Sequence, residues 1–131
     1  MPQYIPKYII RRMFPKDCAK KVEGGVEITM MNIISPIKVS DELPEDIENY
    51  INANIDGKPI TDEVKKGIAL TILEKKYDIN NFKELVGVTI PVGSPIKIFA
   101  PYTAVEVGEE HEVDIDITDT DFKFTVKRVI Q

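Results

Sequence analysis

The chain has no tryptophan, one cysteine (Cys18) and one histidine (His111). A lone cysteine excludes an internal disulfide and gives no paired thiolates for a zinc site. A lone histidine removes every multi-histidine metal arrangement. Excess positive charge is missing too. Seventeen Lys and Arg against 22 Asp and Glu leave a net charge of −5, which argues against nucleic acid as a partner. No apolar run approaches the ~20 residues of a membrane helix. The opening "MPQYIPKYIIRRM" lacks an apolar core followed by a small-residue cleavage site, so no secretory signal is expected. A cytoplasmic location is the expectation.

What is present fits one globular domain over residues 1–131. Hydrophobic residues make up 43% and charged residues 30% of the chain, unlike a disordered segment. A chain of this length buries roughly two-thirds of its unfolded surface. Period-two alternation dominates it. "KYIIRRM" and "VEITMMNII" read as strands, bounded by Pro or Gly. "FPKDCAKKVEGG" between them reads as a connection, with a tight turn at Gly24-Gly25. Pro36 and Pro44 argue against a continuous central strand through "SPIKVSDELPEDI".

Two segments fit both periodicities. In residues 44–55, Pro44 suits a first helical position and Ile47, Tyr50, Ile51 and Ile55 share a helix face. Ile51, Ala53 and Ile55 also alternate with Asn52 and Asn54, and a strand from Tyr50 to Ile55 is preferred, closed by an Asp56-Gly57 turn. In residues 62–76 a helix would spread apolar residues around its circumference and include Gly67. The expected form is a strand "IALTIL", a turn at Glu74 to Lys76 and a return through "YDI". "NNFKELVG" is the clearest helix, from an Asn start to Gly87. "VTIPVG", "PIKIFAP", "HEVDIDIT" and "FKFTVKRVI" complete the strands. The expected fold is mainly β: an antiparallel β-sandwich or jelly-roll-like domain with one short helix.

Chemical candidates are few. Val105 to Phe124 places His111 among eight acidic residues. A calcium loop counted from Asp114 needs glycine at position six and glutamate at twelve, but Asp119 and Thr125 occupy those places. Strand alternation sets Asp114 and Asp116 on one face and Val113, Ile115 and Ile117 on the other, so the acids face water and "TDTD" forms a turn. His111 as a general base needs an orienting partner, for which Glu110 and Glu112 are the neighbours available. Lys20 and Lys21 are placed to lower the pKa of Cys18, yet a nucleophile also needs a base within reach, and a small partly buried hydrophobe is the simpler reading. Gly93 and Gly24-Gly25 lack phosphate-loop spacing. Tyr4, Tyr8, Tyr50, Tyr77 and Tyr102 are scattered without a basic stripe. No catalytic, cofactor-binding or metal-ligating residue is assigned.

Three stretches between about residues 45 and 118 carry a resemblance: "IENYINANIDGKPIT", "IALTILEKKYDINNFKELVG" and "VEVGEEHEVDIDI". They resemble the small β subunit of bacterial C-glycoside deglycosidases. In that family a strand ends in a Val-Asp-Gly turn, a short strand leads to a Gly-Lys-x-Tyr hairpin and a brief helix, and a Pro-Gly-Glu-His-x-Val hairpin follows. The matching residues are Ile55-Asp56-Gly57-Lys58, Lys76-Tyr77, Asn81 to Leu85, and Gly108 to Val113. The chain departs from the pattern in three places. "ISPIKVSDELP" replaces an aromatic-and-arginine stretch, "LEKKY" lacks the turn glycine, and one extra Glu lies between Gly108 and His111.

The resemblance implies a β-sandwich accessory subunit bound to a larger α subunit that is similar to sugar-phosphate isomerase barrels. The larger chain would supply the divalent metal and the acid–base residues. A C–C glycosidic bond has no bridging oxygen for the usual two-carboxylate hydrolysis. The family acts instead on an oxidised sugar, where proton loss beside the ketone permits elimination. Beside this reading stand a self-contained small-molecule-binding or homo-oligomeric β-domain and an enzyme using His111 or Cys18.

Overall fold

The computed structural model describes residues 7–33, 36–38, 51–117 and 123–131. It is mainly β, with antiparallel sheets packed into a β-sandwich-like fold. The first strands are β1 (Ala19–Val22), β2 (Gly25–Met31), β3 (Ile37–Lys38), β4 (Ile51–Ile55) and β5 (Lys58–Pro59). They are followed by β6 (Ala69–Ile72), β7 (Lys75–Tyr77), β8 (Thr89–Ile90), β9 (Pro95–Ala100), β10 (Glu110–Ile117) and β11 (Lys123–Val129). One sheet has the order β1-β2-β9-β6-β7 and the other β11-β10-β4-β5, while β3 pairs with β8. Every pairing among the described residues is antiparallel.

The core lies between the two larger sheets. Val26, Ile72 and Ile96 from one meet Phe124 and Val126 from the other, with Phe14 and Val105 completely enclosed. Phe14 packs edge-on against Phe124, ring centroids 5.7 Å apart, within the range favoured by the ring quadrupoles. The outer edge of β1 is closed by the end of the chain. Lys21 N–H donates to the Gln131 carbonyl and Gln131 N–H to the Ala19 carbonyl, at 3.0 and 2.9 Å. These two bonds partly cover the β1 edge, which would otherwise present unpaired groups.

Expected strands appear at β2, β4, β6 and β8 through β11. The turn expected at Glu74 to Lys76 with a return through "YDI" is corrected: the chain reverses at Leu73-Glu74 and the return strand is Lys75–Tyr77, β7. The expectations that fall on residues 39–50 and 118–122, including Pro44, the start of the strand at Tyr50 and the "TDTD" turn, lie outside the described residues, as does Tyr4.

Four further expectations are corrected. "KYIIRRM" is not a strand but helix α1 (Lys7–Met13). Met13 and Phe14 are buried, Ile9 and Ile10 half-buried, and Tyr8, Arg11 and Arg12 exposed, the i, i+4 stripe of a helix docked on a core. Tertiary packing overrides the β-branched composition. "FPKDCAKKVEGG" is not purely a connection, because Ala19–Val22 pairs with β2 as β1; its turn is Glu23-Gly24, and Gly25 begins the next strand. The segment "DEVKK" forms α2 (Asp62–Lys66), started by Thr61, whose hydroxyl accepts the Val64 N–H at 3.3 Å. "NNFKELVG" yields only a 3₁₀ turn (Phe82–Leu85), because the Asn81 side chain turns back to Asp78 and Lys76 instead of capping it. Among the described residues, two α-helices and a 3₁₀ turn therefore stand where a single short helix was expected.

Candidate functional site

His111 sits near the start of β10. Alternation turns His111, Val113 and Ile115 inward and Glu110, Glu112 and Asp114 outward. That corrects the expected orienting partners: Glu110 and Glu112 point away, and the Glu112 carboxylate lies 3.7 Å from Lys127. The partners come from elsewhere. His111 Nδ1 lies 2.6 Å from Asp56 Oδ2, and Nε2 lies 3.4 Å from Glu109 Oε1. The ring is 12% exposed, against 48% and 54% for the two carboxylate side chains.

Asp56 is positioned by its turn. Ile55 pairs with Lys58, so Asp56 and Gly57 reverse the chain in two residues at φ 53° and 80°, the geometry an Asp-Gly pair accommodates well. Asp56 N–H donates to the Glu112 carbonyl at 2.8 Å, and Oδ1 accepts the Glu112 N–H at 2.9 Å. Asp56 thereby extends the β4–β10 ladder one step beyond Ile55↔Val113. The Glu112 N–H bond, followed by the His111 bond, holds the Asp56 carboxyl below its ordinary pKa. The bond to Asp56, opposed by partial burial and reinforced by Glu109, lifts the His111 pKa.

Behind His111 lies a cavity of about 30 Å³ between the sheets, lined by Cys18, Val26, Ile55, Val105, His111 and Arg128 among others. It holds no more than a water or two. Arg128 faces His111 across the β10–β11 pairing. Its Nε and Nη2 donate to the Phe14 carbonyl at 3.0 and 2.6 Å, and Nε also approaches the Pro15 carbonyl at 3.2 Å. Cys18 is 4% exposed, and burial raises its pKa despite Arg128. This reverses the lowering expected from Lys20 and Lys21, which β1 turns outward. A buried thiol kept protonated is a packing group rather than a nucleophile, and both ring nitrogens of His111 face carboxylates.

A second feature lies on the outer face of β4, β10 and β11. Asn54, Asp114 and Thr125 align in one cross-strand row and Asn52 with Asp116 in the next. Together they border a concavity of about 330 Å³. Asp114 accepts the Thr125 hydroxyl at 2.6 Å and Lys65 donates to Asn52 at 3.3 Å. The acids are half-buried rather than fully in water. Among the described residues no three His, Cys, Asp or Glu side chains are grouped to hold a metal ion, and no helix is long and apolar enough to cross a membrane.

The sequence reading missed Asp56 and Arg128 as anchors. For Asp56 the turn signal was visible, but not the strand it would meet. Compared with known proteins, the chain matches no protein-family model and no curated protein at a significant level.

Proposed function

We propose that this chain is a non-catalytic small β subunit that assembles with a larger, metal-dependent enzyme similar to sugar-phosphate isomerases, of the C-glycoside deglycosidase type. One observation carries the reading. The Asp56-Gly57 turn and the Gly108–Val113 segment, two pieces of the resemblance that are far apart in sequence, meet at the 2.6 Å contact between Asp56 and His111. In support, Glu74 occupies the place of the family's turn glycine and has φ 68°, a conformation that glycine favours. The structural contacts of His111 and the burial of Cys18 support a reading in which a partner supplies the chemistry.

The test is affinity isolation of the native protein from its own cells. Stoichiometric recovery with a barrel-type chain that binds a divalent metal supports the proposal, and recovery alone at native concentration overturns it.

The polar concavity favours a second reading, a stand-alone module for a hydroxyl-rich small molecule. Amides, carboxylates and a hydroxyl in adjacent rows offer the mixed donors and acceptors that such a ligand needs. Saccharide titrations followed by NMR that shift Asn54 and Thr125, and fail to do so in Asp114→Ala, would favour it.

A further inference from the structure

A neutral imidazole has one N–H donor and one bare acceptor nitrogen, and only the imidazolium donates from both positions. His111 has a carboxylate oxygen at each ring nitrogen, on residues from two different parts of the chain. A neutral ring keeps one of these contacts and turns a lone pair toward the other oxygen. The geometry therefore calls for the doubly protonated ring, and the rise in its pKa agrees.

Glu109 links the ring to a turn. Its Oε1 also accepts the Glu106 N–H at 2.9 Å, while its own N–H donates to the Glu106 carbonyl at 3.2 Å. The Glu106–Glu109 turn is thus closed partly by the carboxylate that His111 attracts. Val105 at its base is fully buried in the cavity wall, whereas Val107 at its tip is 63% exposed.

The charged surroundings are mixed. Asp56 and Lys58 come from the β4–β5 hairpin, Glu106 and Glu109 from the turn, and Glu110 and Glu112 from β10. Arg128 stands opposite on β11 with its guanidinium bound to main-chain carbonyls. Cys18 faces the same cavity. The two carboxylates touching the ring outweigh Arg128 and Lys58 because hydrogen bonding to the charged form adds to Coulomb attraction.

We propose that His111 is a protonation-controlled clasp. As imidazolium it fastens the Glu106–Glu109 turn to the β4–β5 hairpin beside the inter-sheet cavity. Loss of one proton releases the Glu109 carboxylate and loosens the turn around Val107. The clasp is independent of the subunit reading, because it is built wholly within this chain.

The experiment follows the His111 ring signals by NMR from pH 5 to 9 on the full chain, together with hydrogen exchange of the Glu106 amide corrected for its intrinsic pH dependence. The expected midpoint lies above the ordinary value of about 6.5. Across the same transition, Glu106 exchange rises about three- to tenfold, the scale of one charge-assisted hydrogen bond on a partly exposed group.

Glu109→Gln separates the clasp from general loosening. Its amide donates to the bare nitrogen of neutral His111, so the midpoint falls relative to wild type and the step at Glu106 disappears. A wild-type midpoint at or below 6.5, a flat Glu106 profile in wild type, or an equal step in Glu109→Gln overturns the proposal. The wild-type measurements decide it alone if the variant does not fold.

Discussion

The β4–β5 and β6–β7 hairpins reverse direction by the same geometry from very different residues. Asp56 and Gly57 turn at φ 53° and 80°, Leu73 and Glu74 at 51° and 68°. Left-handed backbone is easy for glycine and tolerable for aspartate, but it costs an ordinary side chain roughly 1–2 kcal/mol. The first turn is encoded where it occurs, and its Asp56 carboxylate is then used to bind β10 and His111. The second is imposed from outside. Ile72 and Tyr77 on its flanks are buried at 3% and 5% exposure, and β6 is paired along its other edge to β9. Lys75 reaches Glu84 at 2.9 Å and lies 5.3 Å from the Tyr77 ring centroid, while Leu73 remains 55% exposed. Packing of the strands outweighs the preference of the residues between them.

Substitutions sharpen the contrast. The largest effect is expected at Gly57→Val, where a β-branched residue must adopt φ 80°. A loss of about 2 kcal/mol or more is anticipated in urea unfolding. Leu73→Asn combined with Glu74→Gly should do the opposite and raise stability by about 1–2 kcal/mol, as the strained turn acquires residues suited to it. No gain would mean that β6 and β7 absorb the strain elsewhere.

Asp56→Ala removes contacts to both the Glu112 N–H and His111, so its melting temperature should fall further than that of Glu84→Ala, which loses only the exposed Lys75 pair. Equal losses would remove the distinction between a turn that is used and one that is merely endured.

The smallest effect is the pH profile. The raised His111 pKa contributes stability present in full below about 6.5 and lost as pH climbs through the folded-state value. The lowered Asp56 pKa contributes stability present above about 3.9 and lost as pH falls through its folded value. Stability measured from pH 3 to 9 should therefore show a broad rise between those limits that Asp56→Asn flattens on both sides.

The same contrast explains what could be read in advance. β10 was legible because Val113, Ile115 and Ile117 alternate with polar residues, whereas β4 fitted both periods and its strand form is fixed by pairing with β10, Ile55 opposite Val113. In α1, Ile9, Ile10, Met13 and Phe14 are too few to choose a period, and burial beneath β2 and β11 decides. In α2 the Thr61-Asp62-Glu63 start was a local signal, but it was diluted by reading residues 62–76 as one unit. The alternation that correctly turned Asp114 outward also turns Glu110 and Glu112 outward, so both could have been dismissed as partners of His111. Asp56 as the true partner needed the β4–β10 register, which no short stretch contains.

Arg128 grips the Phe14 carbonyl across a sequence separation of 114 residues. The contact is therefore strongly non-local, and proteins rich in such distant pairings fold slowly. The apolar face of α1 at Ile10, Met13 and Phe14 gains this anchor only once the two segments have met, and before then aggregation competes with folding for it.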